Sequence, residues 1–324
     1  MEKETLFNEL RKNAFIEDRK EDITNKGSLI ISYGQFFKQS APYERRFNKD
    51  LCQFNAVELR EYMEGTAGLR DGSKTKQISM LKNYFAWCES ALKIPVSNAI
   101  KEVSVTGIAK IRRSMVANPR GLQSVLDLYY DPVDMKTVDN IYRCFFWLAF
   151  AGVDEEDIMG VKCKDVDTDN RTLIVNGEVF YIEQEAVPAL KIASTLPLFM
   201  YYHPNYKPVY KERSPGDTLI RGFSAPSLST VRNLISTRSR ASAYKFPEGE
   251  EVRLTHYRVW LSGQFYRIRK KEIEGIEPDF TELARHYVSG KAYENDKEIA
   301  HTAMVREKRN YRTDYERWKI AFQL

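Results

Sequence analysis

Asn176-Gly177 stands between two short runs rich in β-branched and aromatic residues, Thr172–Val175 and Glu178–Ile182. A two-residue type I′ turn needs positive φ at both central positions, and Asn-Gly supplies it at little steric cost. This stretch therefore predicts an antiparallel hairpin. Most other apolar residues recur at intervals of three and four, the spacing of a helix face. The expected fold is mainly α with a small antiparallel β-hairpin or sheet, an α+β class. At 324 residues the chain can hold two ordinary cores. Its 43% hydrophobic content places it with folded rather than disordered chains.

Several function classes drop out. No apolar run approaches the roughly 18 residues of a membrane span. The first ten residues, Met1–Leu10, are charged and lack an apolar signal core, so a cytoplasmic location is expected. The four cysteines, Cys52, Cys88, Cys144 and Cys163, have no Cys-x-x-Cys spacing. Reduced thiols are expected, with no metal and no cofactor. Charge is polarised along the chain. Lys207–Lys271 holds fourteen Lys/Arg against five Asp/Glu, whereas Asp154–Glu185 holds three against ten. A protein that lays one face on a polyanion would look like this, as would one whose charges balance after folding.

Residues 1–103 read as a helical domain. Ser28–Gln39 carries Leu29, Ile30, Tyr33, Phe36 and Phe37 near helical period. Asn55 followed by Glu58 forms a capping-box pattern opening Ala56–Met63. Gly65–Ser73 is turn-like, and Lys74–Ser90 places Ile78, Leu81, Phe85 and Cys88 on one face, with Lys74, Lys76 and Lys82 elsewhere. Residues 104–120, small and basic with Lys110, Arg112 and Arg113, predict a linker and a natural phosphate contact. A second domain, 121–324, is expected to hold helices over Gly121–Tyr130 and Met135–Ala151, then the hairpin. A long surface loop over Tyr201–Pro226 should follow, then helices over Ser227–Ala243, Thr255–Lys271, Phe280–Val288 and Thr302–Phe322. Leu190–Tyr202 is apolar and fits either a helix or a strand.

Around Ile141–Asp167 the residues Ala151-Gly152-Val153-Asp154 are followed by an acidic stretch ending Lys164-Asp165-Val166-Asp167. This resembles the best-known motif of phage integrases and other tyrosine recombinases, in which a helix ends in Thr-Gly-Leu-Arg. Ser73–Ile100 likewise resembles the helix and exit of that family's SAM-like core-binding domain, with Asn98-Ala99 where Asn-Pro is usual. The ordered set covers nearly the whole chain. It implies a two-domain tyrosine-recombinase-like architecture: a SAM-like helical core-binding domain plus an integrase-like catalytic-type domain, closing on duplex DNA.

What the resemblance implies for chemistry is a loss. In the family a tyrosine attacks a phosphodiester while two arginines, His/Trp donors and a hairpin lysine stabilise charge. Removing one such donor costs about 10²–10³-fold. Here the first arginine maps to Asp154, and a carboxylate repels phosphate. The stretch Thr172–Ile182 holds no lysine, and Lys191 lies beyond it. The His-x-x-Arg box matches Thr255 and Arg258, with His256 one residue late and so about 100° away on a helix. The later histidine matches His286 or His301. Tyr293, Tyr311 and Tyr315 all lie near the nucleophile position. No catalytic residue is expected.

The DNA-holding residues implied are Lys110, Arg112, Arg113, Arg232, Arg238, Arg240, Arg258, Arg267, Arg269, Lys270 and Lys271. The leading expectation is a sequence-specific, double-stranded-DNA-binding transcriptional repressor of phage lysogeny, working beside the bacterial nucleoid. Operator DNA would be its partner, and a phage antirepressor protein a further one. A divergent active recombinase, and an accessory or scaffold protein of recombination, remain as alternatives.

Overall fold

Local signals set many of the elements. Asn55 Oδ1 accepts from the amides of Val57 and Glu58, each at 2.9 Å, while Glu58 Oε2 accepts from the Asn55 amide at 2.9 Å. This is the expected capping box, and it opens a helix over Ala56–Thr66. Asn176 and Gly177 adopt φ of 52° and 83°, as a type I′ turn requires. Thr255 caps a helix by accepting from the Arg258 amide.

The computed structural model describes residues 6–21, 26–66, 71–101, 107–129, 139–195, 198–201, 209–212, 215–221, 227–241, 246, 251–289 and 297–324. The helices are α1 (Glu9–Glu21), α2 (Lys26–Phe47), α3 (Ala56–Thr66), α4 (Asp71–Leu92), α5 (Ile108–Arg112), α6 (Pro119–Tyr129) and α7 (Asp139–Ala151). They continue with α8 (Glu155–Ile158), α9 (Val187–Thr195), α10 (Leu228–Ala241), α11 (His256–Ile273), α12 (Thr281–Ser289) and α13 (Lys297–Phe322). Strands β1 (Val166–Asp167), β2 (Thr172–Val175) and β3 (Glu178–Tyr181) form an antiparallel sheet in the order β1-β2-β3. Its register pairs Leu173 with Phe180 and Ile174 with Val179. The fold is mainly α with a small antiparallel sheet. Among the described residues no helix is long and apolar enough to cross a membrane.

Several expectations need correction. Of the turn expected over Gly65–Ser73, Gly65 and Thr66 belong to α3 and Asp71–Ser73 to α4, while residues 67–70 lie outside the described residues. Leu190–Tyr202 is both helix and strand: α9 ends at Thr195, and β4 (Leu198–Tyr201) follows. The loop expected over Tyr201–Pro226 contains β5 (Val209–Glu212), antiparallel to β4, and its Leu219 and Ile220 are buried. Pro208 before the short strand and Pro215-Gly216 after it concealed it. The linker expected over 104–120 contains helix α5, and α6 already starts at its Pro119. Pro119 suits the first helical turn, where its missing amide costs nothing.

The chain divides into two units, Met1–Ile111 with Arg312–Leu324, and Arg112–Tyr311. The end of α13 thus belongs with the first unit rather than with the domain expected over 121–324. Down α13 the residues Ala303, Glu307, Tyr311, Asp314, Tyr315, Trp318 and Ala321 form one buried stripe at helical spacing.

The first unit has an aromatic core. The ring of Phe15 meets Tyr33, Phe37 and Tyr84 edge-on at 4.9, 5.8 and 5.2 Å. Buried within it is a polar network that periodicity does not reveal. Lys12 is fully buried, its Nζ donating to Glu44 (2.6 Å), Tyr84 (3.1 Å) and Asp50 (3.4 Å). Lys74, expected off the apolar face of α4, is also buried.

In the second unit α7 carries a continuous buried run, Arg143–Ala151, and packs against α11. A Cβ on Gly263 would fall inside the carbonyl group of Phe150, so only glycine allows these two helices to approach so closely. Tyr129 OH donates to the Val252 carbonyl and accepts from the Leu254 amide at 3.2 Å, which fixes the lead-in to α11.

Candidate nucleic-acid interface

The motif around Asp154 follows from how α7 ends. The Gly152 amide donates to Ala149 O (3.0 Å) and the Val153 amide to Leu148 O (3.0 Å), with Gly152 at φ 112°. This is a Schellman stop: glycine at the left-handed position, then a buried apolar residue, Val153. Three carbonyls at this end find partners on α11. His256 Nε2 lies 3.0 Å from Val153 O, Trp260 Nε1 donates to Gly152 O at 3.0 Å, and Arg267 Nη1 donates to Phe150 O at 2.8 Å. The next residue, Asp154, is thereby held at the mouth of a cleft as the extended N-cap of α8.

That cleft, about 350 Å³, is lined by Asp154, Glu155, Glu156, His256, Tyr257, Trp260, His286 and Ser289. His286 Nε2 sits 2.8 and 2.9 Å from the two oxygens of Asp154. Its ring lies 4.8 Å from that of Trp260, which stacks in turn on Tyr257. The hydrogen bond to Asp154 raises the His286 pKa, against the opposing effect of burial, with Glu156 adding to the rise. Burial pushes His256 down, so the neutral ring donates through Nε2 to Val153. The cleft therefore presents three carboxylates, of which Asp154 is paired with a histidine and Glu155 with an arginine, Arg232. Acids in the first turn of a helix also suit its dipole, so Glu155–Asp157 have a local structural use as well. Asp154 makes no side-chain cap bond and turns to His286 instead.

A second cleft of about 460 Å³ shares Glu155, His256 and Tyr257 with the first and adds Phe145, Arg232, Ile235, Ser236, Arg253, Leu254 and Thr255. Here Arg232 grips Glu155 with two parallel hydrogen bonds, Nε to Oε1 at 2.9 Å and Nη2 to Oε2 at 2.5 Å. The Arg232 bond is the main reason the Glu155 pKa is lowered. The hairpin tip is held as well: Asn176 Nδ2 donates to Asp157 Oδ1 at 2.9 Å.

The expected positions fare unequally. Asp154 and His286 are brought together, and Thr255 stands at the edge of the second cleft as a helix cap. His301 is exposed on α13. Tyr311 is buried, its hydroxyl 3.5 Å from that of Tyr257. Tyr315 is buried and stacks on Trp318. Tyr293 lies outside the described residues. Arg258 lies over the Tyr257 ring at 5.5 Å and is not among the residues lining either cleft.

The basic residues expected to hold DNA also divide. Arg267 is corrected to a structural role. Its guanidinium is sunk against the end of α7, and burial pushes its pKa down to about 10. It stays charged at neutral pH but faces a carbonyl rather than solvent. Arg269 pairs with Glu272 at 2.5 Å, and Lys270 lies 3.9 Å from Glu183 and over the Tyr266 ring. Lys110 Nζ donates to Thr66 O at 3.4 Å. Arg112 and Lys271 are exposed, and Arg113 is partly so. Arg238 and Arg240 lie on α10, with side chains outside the described residues. Sequence reasoning missed Glu155, Glu156, Tyr257 and Trp260 as site residues. The acidic run after Gly152 was the available signal, while the placing of Trp260 depends on the crossing of α7 and α11.

Residues 6–90 match the family model described as MrpR, N-terminal core-binding domain. Among solved structures, the chain is similar to one titled "Crystal structure of XerA recombinase", at 12% identity and a TM-score of 0.33. That match covers 81% of this chain and 84% of the other. No curated protein matches the chain in sequence. Residues 6–90, within the N-terminal unit, are thus similar to the MrpR core-binding domain.

Proposed function

We propose that this protein is a sequence-specific, double-stranded-DNA-binding transcriptional repressor, of the kind that maintains phage lysogeny, on a recombinase-like scaffold that no longer cuts. The observation that carries this reading is the acidic cleft. Where a reacting phosphate would need guanidinium groups, Asp154, Glu155 and Glu156 line the wall, and His286 is already engaged by Asp154. A carboxylate a few ångströms from a phosphate raises the cost of an approaching dianionic transition state instead of lowering it. The match of residues 6–90 to a core-binding domain supports DNA binding. Arg112, Arg113, Arg238, Arg240 and Lys271 are the proposed phosphate contacts, and occlusion of a promoter is the mode of action. An antirepressor protein would be the natural partner that lifts it.

Gel-shift and suicide-substrate assays test both halves. Binding to selected duplexes should weaken as salt rises, with a log–log slope of about −0.9 per phosphate contact. A nicked suicide substrate should give no covalent band. Asp154→Arg should tighten DNA binding and steepen the salt slope while still giving no covalent product. Equal affinity for every duplex would defeat the repressor reading. A covalent adduct lost in Tyr311→Phe would establish an active recombinase instead.

A further inference from the structure

We propose that Cys52 and Cys88, in the first unit, form a reversible disulfide when a small hydroperoxide reaches them. Cys52 lies in a short 3-10 turn, Leu51–Gln53, and Cys88 on α4, and both are fully buried. Their sulfur atoms and a carboxylate oxygen of Asp50 all lie within 4.8 Å of one another. The backbone on each side is fixed. The Cys52 amide donates to Asp50 Oδ1 at 3.2 Å, the Ser97 amide to Cys52 O at 3.0 Å, and the Ile94 amide to Cys88 O at 3.2 Å. The fold thus brings the two thiols close together from segments that are distant in sequence. The other two cysteines belong to the second unit and face carbonyls: Cys144 Sγ donates to Ala189 O at 3.3 Å and Cys163 Sγ to Thr218 O at 3.8 Å.

Two thiols beside a carboxylate could also suggest a metal site, but the surroundings oppose it. Asp50 already accepts from Tyr84 OH (2.9 Å), Asn8 Nδ2 (3.0 Å), Arg11 Nη1 (3.1 Å), the Cys52 amide and Lys12 Nζ. A divalent ion would have to strip these donors and sit beside the Lys12 ammonium group. The same surroundings favour thiol chemistry. The hydrogen bond from Cys52 holds the Cys88 thiol below its usual range, with help from Tyr84 and Lys12, and the same contact pushes Cys52 up. Either sulfur can attack first and give the same disulfide. With Cys88 as the attacking sulfur, its thiolate takes one peroxide oxygen, the O–O bond breaks, and the other oxygen leaves as water, giving a sulfenic acid. Cys52 sulfur then attacks Cys88 sulfur, its proton passes to the departing hydroxyl, and a second water leaves. With hydrogen peroxide the balance is two thiols and one peroxide to one disulfide and two waters. Because both sulfurs are buried, the reaction goes through a local opening and is slower than at an exposed thiol.

The test uses the reduced full chain treated with graded hydrogen peroxide, then alkylated in denaturant and mapped by peptide mass spectrometry. The expected result is a Cys52–Cys88 cross-linked peptide, a fall from four alkylated thiols to two, and full reversal by dithiothreitol. The oxidised protein should also melt higher than the reduced one, because the bond restricts the unfolded chain. Cys52→Ser should abolish the cross-link. If that variant does not fold, the map of the unaltered chain decides alone. Complete alkylation of both cysteines after peroxide, a cross-link involving Cys144 or Cys163, a lower melting temperature, or one zinc per chain bound through these thiols would overturn the proposal.

Discussion

Asp50 and Asp154 are the same residue in opposite settings. Asp50 is buried in the first unit, and burial pushes its pKa up. Lys12, Asn8 and the Cys52 amide outweigh that and hold it down at about 2. Asp154 stands half-exposed at a cleft mouth in the second unit, where its carboxylate meets His286. The first carboxylate is committed to the fold, because each of its oxygens is bonded and its removal would leave the buried Tyr84 hydroxyl and Cys52 amide without their acceptor. The second carries little of the fold, since its pair with His286 is half-exposed and it makes no cap bond to α8. Lys12 itself divides unequally. It lies nearer Glu44 (2.6 Å) than Asp50 (3.4 Å), yet burial still pushes the Glu44 pKa up. Glu44 is the more deeply desolvated partner, with fewer donors to offset that cost, and the larger number of donors on Asp50 explains the opposite directions.

The contrast can be broken most forcefully at Lys12. Lys12→Met should destabilise the protein by about 3–5 kcal/mol in chemical denaturation, because it leaves Glu44 buried without its cation and Asp50 with the Arg11 cation alone. Adding Glu44→Gln should recover part of that loss. No recovery would mean the network does not act as a unit. Next in size is Gly263→Ala, which forces α11 away from Phe150. It should cost about 1–3 kcal/mol and loosen the alignment of Trp260 and Arg267 with α7, read as lost hydrogen-exchange protection at the end of α7.

The smallest effect is expected at Asp154. Asp154→Asn should lower the His286 pKa, followed by NMR of its ring protons, and should change stability by less than about 1 kcal/mol because the pair is half-exposed. The sign is fixed by the raised folded value of His286. Its contribution is fully present below the unfolded pKa of about 6.5 and disappears as pH rises through the folded pKa. A His286 pKa unmoved by Asp154→Asn would show that the pair does not exist in solution.

How much could be read from the chain depended on the range of the interaction. The Asn55–Glu58 capping box, the Thr255 cap and the Asn176-Gly177 turn were legible because each partner lies within three residues and backbone geometry fixes the residue type. Strand β5 was not legible, since four residues carry too short a pattern and its partner β4 alone shows where it pairs. Arg267 misled for a related reason. A basic residue on a basic helix looks solvent-facing until the crossing of α7 and α11 turns it toward Phe150 O. At the candidate site, the acidic residue after Gly152 was evident, but its partner His286 lies 132 positions away.

By itself, then, the sequence determined the helical character, the tight hairpin at Asn176-Gly177 and the acid that follows the α7 stop. All of these are written in neighbouring residues and in backbone dihedrals that only certain side chains tolerate. Tertiary structure alone decided that Lys12, Glu44 and Asp50 share a buried site, that the sulfurs of Cys52 and Cys88 meet, and that His286 closes on Asp154. Desolvation and charge pairing act between groups close in space, and that closeness exists only once the helices have packed.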